Sequence, residues 1–299
     1  MLFVAIMNIC FAAALPLLKI ALAYTSPDMM VAMRMVLGGL ALLTYVVIRE
    51  GMPAWRTLPW RLICKVALFE VYLLCLGEAW ALERMTSAKA SVIWSLLPLL
   101  TACAVRICQG IPLSRVQWFA MGIAMAGYSL TIDVHEVMQG GYGIPELMMM
   151  GAVCAAAYGY IVLEQLALEM QSVALSSGLM MLVGGVGSLL TVIMGHGVQS
   201  VTRAVTHPTL WAVMACIVLF ENVIGLTLQT FLMRRYSATF LAISIFMTPV
   251  CGVLIGVWFL GEPWYHMYGA ALLATFSGVI LFYHEEIRQS IAKKMRKTG

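Results

Sequence analysis

Charge is what this chain has least of: only 11% of its 299 residues are Asp, Glu, Lys or Arg, less than half the share found in a soluble domain. So few charges cannot cover a surface that faces water on every side, and with 62% hydrophobic residues the chain reads as an integral membrane protein. Histidine is scarce as well. His135, His196, His207, His266 and His284 fall in loops or at the ends of apolar runs, and there is no HExxH, Walker A or nucleophile-elbow pattern. The eight cysteines form no CxxC pair and no cluster with histidine, so neither a zinc site nor an extracellular disulfide framework is indicated. No cofactor, nucleic-acid partner or enzymatic centre is therefore expected, and the cysteines read as small buried thiols.

What the chain has is apolar length. A helix needs about 20 apolar residues to cross the hydrocarbon core, and ten such runs are predicted. They lie near Leu2–Leu22, Met29–Ile48, Leu62–Leu82, Ser87–Ile107, Val116–Ile132, Glu146–Leu166, Leu175–Met194, Leu210–Leu232, Thr239–Leu260 and Met267–Tyr283. The first reads as a span rather than a secretory leader, because it lacks a basic start and is longer than a signal core of about 7–15 residues. With both termini cytoplasmic, 13 of the 18 basic residues fall on the inside, which the positive-inside bias favours. The basic tail around Lys293, Lys294, Arg296 and Lys297 would then meet anionic lipid.

The stretch Trp60–Leu130, moved forward by 151 residues without a gap, falls on Trp211–Leu281 with its landmark residues in register. Phe69-Glu70 meets Phe220-Glu221, Arg84 meets Arg235, Pro98 meets Pro249, Gly110 and Pro112 meet Gly261 and Pro263, and Gly127 meets Gly278. Only 11 of 71 positions are identical, so the case rests on residue type, and recurring Glu, Pro and Gly inside apolar text do not arise by drift. Two halves are expected, residues 1–145 and 146–287, followed by a basic cytoplasmic tail at 288–299. Five spans per half is an odd number, which inverts the second half relative to the first. Inverted halves enclose a site near mid-membrane and open it to each side in turn, so alternating access is expected.

Five-span repeats with a proline in the fourth helix, the turn Leu260-Gly261-Glu262-Pro263, its partner Gln109-Gly110-Ile111-Pro112 and a Gly-rich fifth helix resemble the EamA branch of the drug/metabolite transporter superfamily. The segment Thr86-Ser87-Ala88 with Ala90-Ser91 and Pro98 fits the same pattern, and the first turn departs from it by lacking Glu. The resemblance implies an all-α fold of ten transmembrane helices around a central cavity lined mainly by the first four helices of each repeat. Its motifs are silent about cargo.

Ionisable residues inside apolar runs are expensive, about 2.5–3.5 kcal/mol each on insertion scales, and so mark candidate sites. Glu70, Glu78, Glu221 and Arg34 qualify, with Lys19 and Lys89 nearer span ends. Glu70 and Glu221 are repeat partners, and Glu78 corresponds to Gln229. Glu221, Gly225 and Gln229 step by four and share a helix face with Asn222 beside them. Trp80, Trp94 and Tyr158 add aromatic faces that attract an organic cation or stack on a heterocycle. These groups form the candidate substrate site, Arg34 and Lys89 being available for a carboxylate or for charge pairing. The same glutamates would also serve as buried structural acids paired with Arg34 and Lys89. Ser87, Ser91 and Ser95 read as close-packing residues, and Pro98 and Pro249 bend their helices as hinges or as static kinks.

Acids, rings and a cation in one cavity point to a zwitterionic or cationic metabolite carried across a bacterial cytoplasmic membrane, an amino acid or a derivative. Within the family it resembles, amino-acid exporters and S-adenosylmethionine carriers both fit. A proton-coupled exporter of quaternary amines is the alternative, with a buried glutamate carrying the coupling proton; counter-substrate exchange would serve instead. A membrane protein without flux fits the duplication less well. The partners expected are a small molecule and the lipid bilayer, with the protein a monomer or a homodimer.

Overall fold

The computed structural model describes residues 2–108, 110, 112, 114–129, 143–196, 208–244, 257–258, 261 and 266–298. Among the described residues every regular segment is helical. The first half contains α1 (Leu2–Leu22), α2 (Pro27–Arg49), α3 in three successive pieces (Trp60–Val66, Ala67–Leu73, Leu74–Arg84), α4 in two (Ser87–Trp94, Leu97–Cys108) and α5 (Arg115–Ser129). The second contains α6 (Ile144–Glu169), α7 (Val173–His196), α8 in three pieces (Pro208–Cys216, Ile217–Leu226, Thr227–Met233), α9 (Ala238–Ser244) and α10 (His266–Thr298). Among the described residues six stretches are long and apolar enough to cross a bilayer, those of α1, α2, Lys89–Cys108, α6, Val173–Gly195 and Pro208–Met233. Helix α3 has the length but carries Lys65, Glu70 and Glu78 inside its predicted span.

Two of the helices expected to be regular are not. The middle pieces of α3 and α8, Ala67–Leu73 and Ile217–Leu226, have π-helical pitch, in which each N–H reaches one residue further back and the chain locally widens. The offset of 151 carries the first onto the second, and Glu70 and Glu221 lie within them. Helix α4 breaks after Trp94 for a residue-level reason. The Pro98 ring would strike the carbonyl four residues earlier and offers no N–H to it, and that carbonyl belongs to Trp94. Ser95 closes the first piece by bonding through its N–H to Ser91 and Val92, and the Tyr283 hydroxyl of α10 donates to the Pro98 carbonyl at 3.1 Å. The partner hinge, Pro249, lies outside the described residues, as do Leu260, Glu262 and Pro263.

Neighbour relations survive exchange of the two halves. Helix α2 packs along α7, α5 along α10, α3 against α6 and α7, and correspondingly α8 against α1 and α2. In lipid, apolar burial drives no helix association, so close approach at small residues must do so. At the α5–α10 crossing a Cβ on Gly127 would come 2.9 Å from the Ala271 carbonyl, and one on Gly278 2.6 Å from the Ala120 carbonyl. The two contacts are repeat images, since Gly127 corresponds to Gly278 and Ala120 to Ala271. At the α2–α7 crossing a Cβ on Gly39 would come 2.8 Å from the Leu182 backbone nitrogen, and one on Gly185 2.9 Å from the Val36 backbone nitrogen. Here the offset is 146 rather than 151, so the connection into α8 is five residues longer than that into α3.

Basic side chains finish two helix ends. Lys19 donates to the carbonyls of Leu82 and Met85 at 2.5 and 2.8 Å, and Arg234 to those of Ala167, Met170 and Gln171 at 3.0, 2.5 and 2.8 Å. A cation at a helix C-terminus satisfies carbonyls that have no intrahelical donor. Outward-facing Leu40, Ile48, Leu190, Met194 and Leu219 form an apolar exterior, with Trp60, Trp118 and Trp211 also exposed as expected of interface anchors. Trp264 lies outside the described residues.

Candidate functional site

The π pitch of α3 and α8 turns carboxylates toward the space between the halves. There a cavity opens between the helices of the two halves. Its wall comes from six helices. Phe11, Ala14 and Leu15 come from α1, Met35 from α2, Glu70, Leu74, Cys75 and Glu78 from α3, Trp94 from α4, Tyr160 from α6, and Glu221, Leu226 and Gln229 from α8.

A single guanidinium organises one side. Arg34, fully buried on α2, donates through Nη1 to Glu221 Oε1 at 2.5 Å, and its Nη2 lies 3.6 Å from Glu78 Oε2. The other Glu78 oxygen accepts from Trp94 Nε1 at 2.8 Å, which fixes the indole plane at the cavity edge. On the opposite side Gln229 Nε2 donates to Glu70 Oε1 at 2.8 Å. These two sides are repeat images: Glu221 with Glu78 corresponds to Glu70 with Gln229. Where both partners are acids a cation stands between them; where one is an amide none does. Arg34 itself corresponds to Met180 at the α2–α7 offset. Several polar atoms keep no hydrogen-bond partner, namely Arg34 Nε and Nη2, Glu70 Oε2, Glu221 Oε2 and Gln229 Oε1.

Of the candidates from the sequence, Glu70, Glu78, Trp94, Glu221 and Gln229 line the cavity together, and Arg34 holds two of them. The others do not line it. Trp80, two residues and so roughly 200° around α3 from Glu78, donates its indole N–H to Asp28. Tyr158 packs edge-on against Phe69, ring centroids 4.7 Å apart, while Tyr160, two residues on, reaches the cavity. Asn222 is buried against α2, its amide 3.0 Å from Met35 Sδ. Lys89 pairs with Glu146, joining the start of α4 to the start of α6. Ser91 and Ser95 bond their hydroxyls to the Ser87 and Val92 carbonyls of their own helix, as packing serines do. The reading by residue type missed Phe11, Met35, Cys75 and Tyr160. Only Cys75 left a signal, standing three residues before Glu78 on the same face.

Buried opposite charges around a central cavity, inside a helical body with an apolar exterior, are what a membrane transporter for a small molecule requires. The chain belongs to the EamA-like transporter family, whose sequence model matches residues 1–132 and 143–284. It is 28% identical over 93% of its length to the S-adenosylmethionine/S-adenosylhomocysteine transporter of Chlamydia trachomatis serovar L2, of which it covers 87%. To the transporter of that name from Chlamydia muridarum it is 27% identical, with 93% and 90% of the two chains covered. The uncharacterized inner membrane transporter YedA of Escherichia coli K12 is 24% identical over 89% of this chain and 82% of its own. One protein of known crystal structure superposes over 94% of both chains with a TM-score of 0.65 at 16% identity, which shows a shared fold.

Proposed function

We propose that this transporter exchanges S-adenosylmethionine for S-adenosylhomocysteine, moving both through one mid-membrane cavity by alternating access. The observation that carries the reading is the pair of cavity carboxylates that each keep one oxygen without a hydrogen-bond partner, beside an aromatic wall. Glu221 Oε2 and Glu70 Oε2 suit an ammonium or sulfonium group, and Trp94 offers a flat face for a heterocycle. The names of the Chlamydia relatives support the same cargo. The halves 1–145 and 146–287 would rock against each other with the α4 break before Pro98 and its partner at Pro249 as hinges. Both termini would face the cytoplasm of a bacterial inner membrane, beside the basic tail at 288–299.

The test is uptake of labelled S-adenosylmethionine into vesicles containing the purified protein. Internal unlabelled S-adenosylhomocysteine should accelerate it several-fold; no acceleration, or no uptake, defeats the exchange reading. A second reading, export of quaternary amines, draws on the excess of three cavity carboxylates over one guanidinium. Competition by quaternary amines but not by methionine derivatives would favour it.

A further inference from the structure

The cavity holds two kinds of carboxylate, and the difference between them has a chemical use. Glu78 and Glu221 share Arg34. Glu70 is 2% exposed and, among the described residues, has no cation paired with it. Its Oε1 takes one neutral donor, the Gln229 amide, and its Oε2 has no hydrogen-bond partner, being wedged against Gly159 of α6. The groups that share the cavity wall with it are Tyr160 from α6, Glu221 and Gln229 from α8, and Cys75 and Glu78 from its own helix; Arg34 on α2 lies outside that wall, against Glu78 and Glu221. Helix α7 meets the same π segment at Val71 through Gly184 and brings no charge to Glu70. An ion without a counter-ion is unfavourable in such a place, so an empty cavity keeps a proton there.

We propose that Glu70 is the proton site of the exchange and that its proton follows the charge of the cargo. S-adenosylmethionine has a sulfonium, an ammonium and a carboxylate, and so carries one net positive charge; S-adenosylhomocysteine has a thioether in place of the sulfonium and carries none. When the sulfonium ligand enters, it supplies the counter-ion that Glu70 lacks and the Glu70 proton leaves to water. When the thioether ligand replaces it, one proton returns to a Glu70 carboxylate oxygen. Loaded with either ligand, the cavity has the same net charge. One cation moving inward is therefore matched by one neutral zwitterion and one proton moving outward. Glu78 and Glu221, held by Arg34, bind the part common to both ligands.

This inference rests on the cargo reading above, and one experiment separates the two. Purified transporter in weakly buffered detergent solution is titrated with each ligand while a pH indicator counts protons released and calorimetry reports binding. The expected result is about one proton released per S-adenosylmethionine bound and none per S-adenosylhomocysteine. Because ligand and proton compete, affinity for the sulfonium ligand should rise with pH, up to about tenfold per unit while Glu70 is protonated in the free protein; affinity for the thioether ligand should stay flat. Glu70→Gln, a mimic of the protonated acid, should abolish both the release and the pH slope and weaken binding of the sulfonium ligand while the thioether ligand still binds, and Glu78→Gln should retain the release. Binding of both ligands without proton release overturns the proton site and leaves the cargo reading standing. Release that survives Glu70→Gln overturns it too. Failure of either ligand to bind defeats the cargo reading, and the proton site with it. The wild-type count stands by itself should a variant fail to fold.

Discussion

Arg34 is the residue on which the cavity's charges depend, and it had no repeat partner to announce it. Replacing it with Met, the residue at the equivalent position of α7, should strand Glu78 and Glu221 as uncompensated acids. A stability loss of about 3–5 kcal/mol is expected, read as a lower Tm in detergent. Adding Glu78→Gln and Glu221→Gln to Arg34→Met should recover most of the stability but not cargo uptake. Gly159→Ala makes a different demand, since its methyl would sit 2.5 Å from Glu70 Oε2. It should reduce uptake at least tenfold while the protein still folds, and normal uptake would show that the Glu70 rotamer is free to move. The acids themselves were legible as charges in apolar text. Their pairing was not, because whether Arg34 meets Glu70 or Glu221 depends on how α2 crosses α8, and no local residue pattern encodes that. Trp80 and Tyr158 were misassigned to the cavity for a related reason: richness in aromatics was read without the helix rotation that turns two-residue neighbours to opposite sides.

The helices show why some features reach the sequence and others do not. Boundaries of α1, α2, α6, α7 and α8 followed from apolar length to within a few residues, since the membrane sets one thickness for all of them. The π segments left no trace, because i to i+5 bonding requires no particular residue; their repetition in α3 and α8 became visible only in the fold. The kink in α4 was legible because proline acts on a fixed carbonyl. The Gly38-Gly39 and Gly184-Gly185 pairs were hidden by a change of offset, a loop-length difference that an ungapped comparison cannot follow. At these crossings the contacts are with backbone, which cannot swing aside. Gly39→Ala and Gly185→Ala should each destabilise by about 1–3 kcal/mol, measurable as a Tm shift, whereas Gly122→Ala, with open space around its Cα, should be silent.

At the scale of the whole molecule, the pattern of packing that survives exchange of the halves is what an inverted duplication would produce. Reporter tags fused to each terminus should both be found in the cytoplasm, and detection of the two on opposite faces would refute the inversion. The duplication could be read from recurring Glu, Pro and Gly before any coordinates. What the halves do not share could not be weighed until they met: Arg34 against Met180, Glu78 against Gln229, and Lys89 against Phe240. Under the alternating access proposed above, the last difference would give the two entrances unequal locks. The ion pair of Lys89 with Glu146 bolts α4 to α6 across the divide between the halves, and the residue equivalent to Lys89 on α9 is aromatic and uncharged. Swinging that door means parting two opposite charges in a medium that screens them poorly, while the other, among the described residues, parts a neutral hydrogen bond from the Asn8 amide to the Ser244 carbonyl. Traffic through the bolted side should consequently be the slower leg of each cycle, and the leg that quickens when either charge of the bolt is removed.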